Sequence, residues 1–325
     1  MDVSVVVCTY NRAASLRDTL DALDAQVTPP ELEWDLLVVD NNSTDGTPAV
    51  VRDFAAATRV PVRHLRVTRL GLSRSRNEGL ARTRGAIVAF IDDDVCPARD
   101  WVRSVAVAMN EASADMLGGR IVPAWDHAPP AWLADRPALH HALTVLDHDR
   151  FAVVVNATQF PTIWGANMAF RREVFDRVGV FDTRRGVRGH KLYRGEEIDL
   201  VSRALVTGCR AVYDPRVVVR HRVWAHRMRI AYVSRLYFQR AEGEALVQEP
   251  PGARGLLAVH LSMILYICRW TRSVVGRRPD RLDLWLDTCA SVGHVWGSWL
   301  GRLAEVATRL RVAMTRGRGG ASVVG

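Results

Sequence analysis

Three consecutive aspartates, Asp92, Asp93 and Asp94, directly follow the apolar run Ile87-Val88-Ala89-Phe90-Ile91. The run reads as a buried strand of a parallel sheet, which puts the carboxylates at its carboxyl end. Like charges packed this closely repel one another and add nothing to a fold by themselves. They call for a counter-ion: Mg2+ or Mn2+ takes oxygen ligands and commonly joins one or two carboxylates to substrate phosphates. Without a cation the three groups raise one another's pKa. The alternative is a solvated acidic turn, helped by Pro97, that caps the following helix. Two more polar clusters, Thr9-Tyr10-Asn11 and Asp40-Asn41-Asn42, also close apolar runs.

The elements needed to bring these clusters together are legible in the first 120 residues. Segments 3–9, 34–40, 61–67 and 87–91 read as strands, the third less apolar and nearer an edge. Segments 12–26, 47–58, 71–85 and 99–112 read as helices, with Leu16, Leu20 and Leu23 on one face of the first. Strand-helix alternation at this spacing specifies a parallel sheet with helices on both faces. Right-handed crossovers set the strand carboxyl ends along one rim, where open α/β sheets bind ligands. No GxGxxG follows the first strand and no GxxxxGK[ST] occurs, so a dinucleotide fingerprint and a P-loop are both unsupported.

Residues 118–162, rich in Pro, Trp and His, read as a long surface loop or lid with an embedded helix. Gly165-Ala166-Asn167 precedes a short strand, and an amphipathic helix then ends at Gly179. Residues 195–208 form a helix with acidic residues in its first turn, where the helix dipole favours them. RAVYDPRVVVRHRV reads as strand, turn at Asp214-Pro215, then strand. From about residue 225 arginines interleave with aromatics and leucines in segments 226–248, 253–276 and 281–313. The tail RGRGGASVVG reads as disordered. The expected division is 1–224 and a helical C-terminal extension over 225–325.

The chain has 325 residues and a net charge of +9; of its 44 cations only Lys191 is not arginine. Arginine suits an anionic ligand or membrane surface, although genome composition gives the same bias. The five cysteines are scattered and lack CxxC spacing, which argues for reduced thiols in a cytoplasmic protein and against a cysteine zinc site. The N-terminus enters a strand without a signal-peptide pattern. The apolar run between Arg254 and Arg269, interrupted by His260, falls short of the roughly 20 residues a spanning helix needs. Basic residues with aromatics also suit nucleic acid, but the charges are scattered and no nucleic-acid motif occurs. The C-terminal helices therefore read as a cap, as a homodimer contact, or as a peripheral attachment to the inner membrane face.

VSVVVCTYNR, LLVVDNNSTDGT, GLSRSRNEGLARTRG, FIDDDVCPARDW, GANMAFRREVF and GEEIDL, in this order, resemble the inverting family 2 glycosyltransferases. The resemblance covers roughly residues 3 to 222. It implies a GT-A-type, Rossmann-like α/β sandwich with a mostly parallel central sheet, followed here by the C-terminal helical region. It also implies nucleotide contacts from Thr9, Tyr10, Asn11 and Arg12 at the first strand end and from Asp40 and Asn42 at the second. The resemblance makes Asp40 the expected base reader of a UDP-sugar, accepting from a uracil-type N–H. Arg76 and Asn77 match the family's basic-polar pair that faces base or diphosphate. Asp92, Asp93 and Asp94 resemble the DxD motif, with Asp92 and Asp93 on the donor and Asp94 and Asp92 at a metal, Mg2+ or Mn2+. His221 follows a strand where some members supply a metal-binding histidine; the alternative is a structural histidine.

Glu196 and Glu197 resemble the GED-type motif, in which Glu197 stands where an aspartate is usual. Glu197 is the expected base for the acceptor hydroxyl, and Glu196 the group that reaches sugar hydroxyls. Asn167 is expected to touch donor sugar or acceptor, and Trp164 to stack on a sugar or in the core. Ser43 and Asp45 read as helix caps, and Asp199 with Arg203 as an ion pair. The resulting expectation is a metal-dependent inverting glycosyltransferase acting on a glycan, lipid-linked or natural-product hydroxyl. A sugar nucleotidyltransferase and a non-catalytic nucleotide-sugar binder are the alternatives.

Overall fold

The computed structural model describes residues 1–158, 162–188, 191–276 and 278–319. Residues 320–325 of the tail read as disordered lie outside the described residues. Two compact units form: Met1–His190 with Gly195–Arg229, and Lys191–Arg194 with Ile230–Gly325.

In the first unit the elements run β1 (Val3–Thr9), α1 (Ala13–Asp24), β2 (Trp34–Asp40), α2 (Thr47–Ala57), β3 (Val62–Arg66), α3 (Leu72–Arg82), β4 (Ile87–Asp92), β5 (Val95–Pro97) and α4 (Trp101–Glu111). Then come β6 (Met116–Trp125), the short α5 (Ala131–Ala134) and α6 (Pro137–His140), β7 (Ala152–Val154), β8 (Asn167–Arg171), α7 (Arg172–Val178), α8 (Glu196–Val206) and β9 (Ala211–Val223). The sheet order is β3-β2-β1-β4-β8-β6-β9-β5, with β7 also paired to β9. The first four strands are parallel, as their alternation with helices requires. Strand β8 enters antiparallel on both sides, and β6 and β9 are parallel to each other. The sheet is mixed α/β, with β3 at its edge as its lower apolar content suggested.

Apolar residues of β1, β2 and β4 are buried on both faces of the sheet, and Leu16, Leu20 and Leu23 of α1 are completely buried. The stretch from 118, expected as loop, opens instead inside β6. Glycines and a proline mask the strand pattern there, and the glycines are needed for packing. A Cβ on Gly119 would run into the Asn167 amide and the Val217 carbonyl. A Cβ on Gly118 would sit 2.8 Å from the Thr162 carbonyl oxygen. Likewise, the expected turn at Asp214-Pro215 is a bulge within the single strand β9. Gly119 pairs with Asp214, but the next residue, Arg120, pairs with Val218.

The second unit holds α9 (Ile230–Val247), α10 (Ala253–Val275) and α11 (Arg281–Gly319). Gly293 and Gly297 of α11 lie against the backbone carbonyls of Phe238 and Glu242 on α9, where a Cβ would clash. Glu242 is buried and holds Lys191 at 3.0 Å.

Because β6 touches β8 and β9 without space at Gly119, Gly119→Ala is expected to cost about 1–3 kcal/mol through overpacking. A urea titration measures it; an unchanged midpoint would show that the contact is loose.

Candidate functional site

The rim is assembled by strand register. Thr9 pairs with Asp40 across β1 and β2, and Cys8 with Asp92 across β1 and β4. The backbone must turn sharply after both β1 and β2. Asn11 and Asn42 adopt left-handed backbone there, with φ of 51° and 64°, a conformation asparagine tolerates better than most residues. Asn11 Oδ1 accepts the Thr44 N–H at 2.7 Å, and its own N–H donates to Ser43 Oγ at 3.0 Å. Asn42 Oδ1 accepts from Arg66 at 3.1 Å. Tyr10 is half-buried between these clusters.

Asp40 is completely buried. Its Oδ1 accepts the Ser43 N–H at 2.8 Å, while Oδ2 has no hydrogen-bond partner and His64 Nε2 stands 3.8 Å away. Burial resists charge on this carboxyl, but His64 and Ser43 hold it below the usual range. Ser43 and Asp45, read as caps of α2, brace the two strand ends. Ser43 serves Asn11, and Asp45 accepts from Ala13 N at 3.1 Å and Thr47 N at 3.0 Å.

The aspartate run is neutralised by three arginines. Arg12 donates to Asp94 Oδ2 and, at 3.3 Å, to Asp93 Oδ1. Arg227 Nη2 donates to the same Asp94 oxygen at 3.0 Å, and its Nη1 lies 3.2 Å from His221 Nε2. His221 Nε2 is 3.6 Å from Asp94 Oδ1. The indole of Trp224 lies between these cations, 5.2 Å from the Arg12 guanidinium and 4.6 Å from that of Arg227. Arg76, 2% exposed, donates to Glu196 Oε1 at 2.7 Å and to Asp92 Oδ1 at 3.4 Å. It also faces the Phe181 ring at 5.7 Å. Gly165 has no room for a Cβ beside this guanidinium.

These neighbours split the aspartates. Burial, reinforced by Asp94, pushes Asp93 up to about 7 against the pull of Arg12. Burial likewise raises Asp92, despite Arg76. Burial opposes ionisation of Asp94 too, but His221, Arg227 and Arg12 outweigh it and hold that carboxyl well below its ordinary value.

Arg76 ties the aspartates to the start of α8. There Gly195, with φ of 99°, turns the chain so that Glu196 and Glu197 open the helix. Glu196 is buried, and its Oε2 has no hydrogen-bond partner. Glu197, next in the first turn, is half-buried. Asp199 pairs with Arg203 at 2.8 Å. The structure thus gathers Thr9, Asn11, Arg12, Asp40, Arg76, Asp92, Asp93, Asp94, Glu196 and His221 along the rim through direct contacts or strand register, with Glu197 adjoining Glu196.

Two expected ligand contacts face inward instead. Asn77 is clamped to the Phe181 backbone, donating to its carbonyl at 2.9 Å and accepting its N–H at 3.0 Å. Asn167, 1% exposed, accepts from Trp101 Nε1 at 2.9 Å and donates to the carbonyls of Arg120 and Val217 at 3.0 and 2.8 Å. Both amides are used to join backbone segments, so Asn77 is not placed for base or diphosphate, nor Asn167 for a sugar. Trp164 sits edge-on to His141 at 5.8 Å and is partly buried against the core.

The expected metal set of Asp92, Asp94 and His221 is also revised. Among the described residues no group of three or more His, Cys, Asp or Glu side chains is arranged to hold an ion. Asp92 turns to Arg76, which leaves Asp94 and His221 as the close pair. Sequence reading passed over Arg227 and Trp224. Their signal was the alternation of aromatic and cationic residues just past β9, which a motif-based reading ends at His221.

The sequence matches the family described as Glycosyl transferase family 2 over residues 4–179. It is 33% identical over 231 residues to the glucosyl-dolichyl phosphate glucuronosyltransferase of Haloferax volcanii, covering 70% of this chain and 71% of that protein. It is 27% identical over 283 residues to the pre-mycofactocin glycosyltransferase of Mycobacterium tuberculosis, covering 86% of this chain and 54% of that protein. Among solved structures, the mannosyltransferase PcManGT of Pyrobaculum calidifontis, in complex with GDP-Man and Mn2+, shares the fold. Its TM-score is 0.54 at 21% identity, over 96% of this chain and 79% of that one.

The Asp93 carboxyl yields a pH prediction. Folded, it keeps its proton up to about pH 7; unfolded, it loses it near pH 4. Folding therefore takes up a proton across that window, and this group's contribution to stability declines as pH rises from about 4 to 7. In EDTA-containing buffer, Asp93→Asn is expected to be more stable than wild type at pH 8 and to flatten the pH dependence between 4 and 7. A variant destabilised equally at every pH would contradict this.

Proposed function

The chain belongs to glycosyl transferase family 2, and on that premise we propose that it moves a sugar from a nucleoside diphosphate sugar, foremost a UDP-sugar, to an acceptor hydroxyl with inversion. The observation that carries this reading is the Arg76 bridge between Asp92 and Glu196. It joins an anion-binding rim to a pair of glutamates at a helix start.

On the donor side, Oδ2 of Asp40, without a hydrogen bond in the structure, is an acceptor for a base N–H, with Thr9 beside it in register and Tyr10, Asn11 and Asn42 following at the same two strand ends. Arg12 and Arg227 hold carboxylates before the donor arrives, and each has the planar donor fork that suits a diphosphate. A divalent ion fits the donor chemistry of Asp94 and His221, an oxygen and an imidazole nitrogen. Both touch the Arg227 guanidinium, a cation, so the place already attracts positive charge. Two protein ligands suit an ion shared with substrate phosphates. When bound, Mg2+ or Mn2+ supplies charge stabilisation to the departing diphosphate.

The transfer is a single displacement. The acceptor oxygen bonds to the anomeric carbon, the bond from that carbon to the diphosphate oxygen breaks, and the hydroxyl proton passes to Glu197. Glu196 Oε2, buried and unpartnered, accepts from a sugar hydroxyl, while Arg76 fixes the other oxygen. The name of the Haloferax volcanii relative carries glucosyl-dolichyl phosphate, which makes the hydroxyl of a lipid-linked sugar the first acceptor class to test.

The test incubates the purified protein with UDP-sugars, Mn2+ and an acceptor. Release of nucleoside diphosphate together with an inverted glycoside is expected. Glu197→Gln is expected to lower kcat about 10²–10⁴-fold while donor Kd stays unchanged. Full turnover in that variant would remove Glu197 from the base role, and formation of UTP and sugar 1-phosphate only when pyrophosphate is added would move the enzyme to nucleotidyl transfer.

A further inference from the structure

Helix α10 is 23 residues long, yet of its side chains only Leu256 and Ser273 are buried. Leu257, Leu261, Ile264 and Leu265 are 61, 52, 50 and 63% exposed. At about 100° per residue, Leu257, Leu261, Ile264 and Cys268 fall on one narrow stripe. Helix α11 exposes Trp299 and Leu303 in the same way, 45 and 61%. The two stripes adjoin, because Trp299 Nε1 donates to His260 Nε2 at 3.2 Å. A contiguous apolar face of this kind on an otherwise charged chain marks an interaction surface.

The charge on this face identifies the partner. Helix α10 contains no Asp or Glu. Arg254 and Arg272 are exposed and flank the stripe on the same side at its two ends, about 27 Å apart by helical rise. No helix among the described residues is long and apolar enough to cross a membrane. A second copy laid along the stripe is disfavoured in either direction. Antiparallel packing sets Arg254 of one copy against Arg272 of the other, and parallel packing puts the arginines of the two copies on opposite edges of the seam, where α10 offers no Asp or Glu to pair them. An anionic lipid surface instead accepts the leucines below the headgroups and pairs the arginines with phosphates. We infer that the α10–α11 face binds an anionic lipid surface, with both helices lying in the plane of the interface. The inference rests on the second unit alone and is independent of the sugar-transfer reading.

The full chain is sedimented with phosphatidylcholine vesicles, with and without phosphatidylglycerol. Partition onto the anionic vesicles is expected to be higher by about tenfold or more and to fall with added salt. Leu261→Glu with Ile264→Glu, both on exposed positions, is expected to lower that partition about tenfold while circular dichroism stays unchanged. Arg254→Ala with Arg272→Ala is expected to keep weak binding and lose the preference for anionic lipid. Three results would overturn the inference: a wild-type chain left in the supernatant with both vesicle types, equal partition by wild type and the double-glutamate variant, or a wild-type dimer that the double-glutamate variant makes monomeric. A chain that partitions as expected but shows no thermal response to UDP-sugar keeps this inference and removes the reading of the nucleotide site.

Discussion

Carboxylates buried at the edge of a sheet cannot stay ionised without nearby positive charge, and the rim of this sheet is built around that constraint. Asp93, Asp94 and Glu196 are buried and Asp92 is half-buried, and all four are held by Arg12, Arg76 and Arg227. Breaking the buried Arg76–Glu196 pair by removing the arginine costs about 3–5 kcal/mol, because the Glu196 charge is left uncompensated. The network therefore fixes where its parent elements lie. Arg76 alone draws α3, the end of β4 and the start of α8 onto one spot. Gly165 and Gly195 are what those approaches require, one to leave room for the guanidinium and the other to turn the chain into α8.

The same constraint makes the site receptive. Asp94 carries two arginines and a histidine contact and stays ionised, while Asp93 beside it keeps its proton near neutrality. A row of three identical residues thus becomes groups with distinct charge states. On the function proposed above, a diphosphate with its cation would bring both signs of charge to these internal pairs: Arg12 and Arg227 would hold phosphate oxygens and Asp94 would hold the cation.

The alternating half of the fold was legible because each strand there is apolar on both faces and each helix has a continuous apolar stripe. Strand β6 was not, since the glycines that let it lie against Asn167 and the β9 bulge erase the pattern that marks a strand. The rim clusters were legible from their positions at strand ends. Asn77 and Asn167 were misread because motif position shows that an amide is needed and does not show whether it serves a ligand or a backbone carbonyl. Arg227 was passed over because it reaches Asp94 only through the fold: the far end of β9 returns beside β5, directly after the aspartates.

On the proposed function, the ion site is completed by the nucleotide and not by protein ligands alone. Mn2+ titration of the purified chain, read by electron paramagnetic resonance with and without UDP, tests it most directly. Weak binding of Mn2+ alone, strengthened at least about tenfold by UDP through the shared phosphates, is the predicted result. Equally tight binding in both conditions, or no binding in either, would contradict the account.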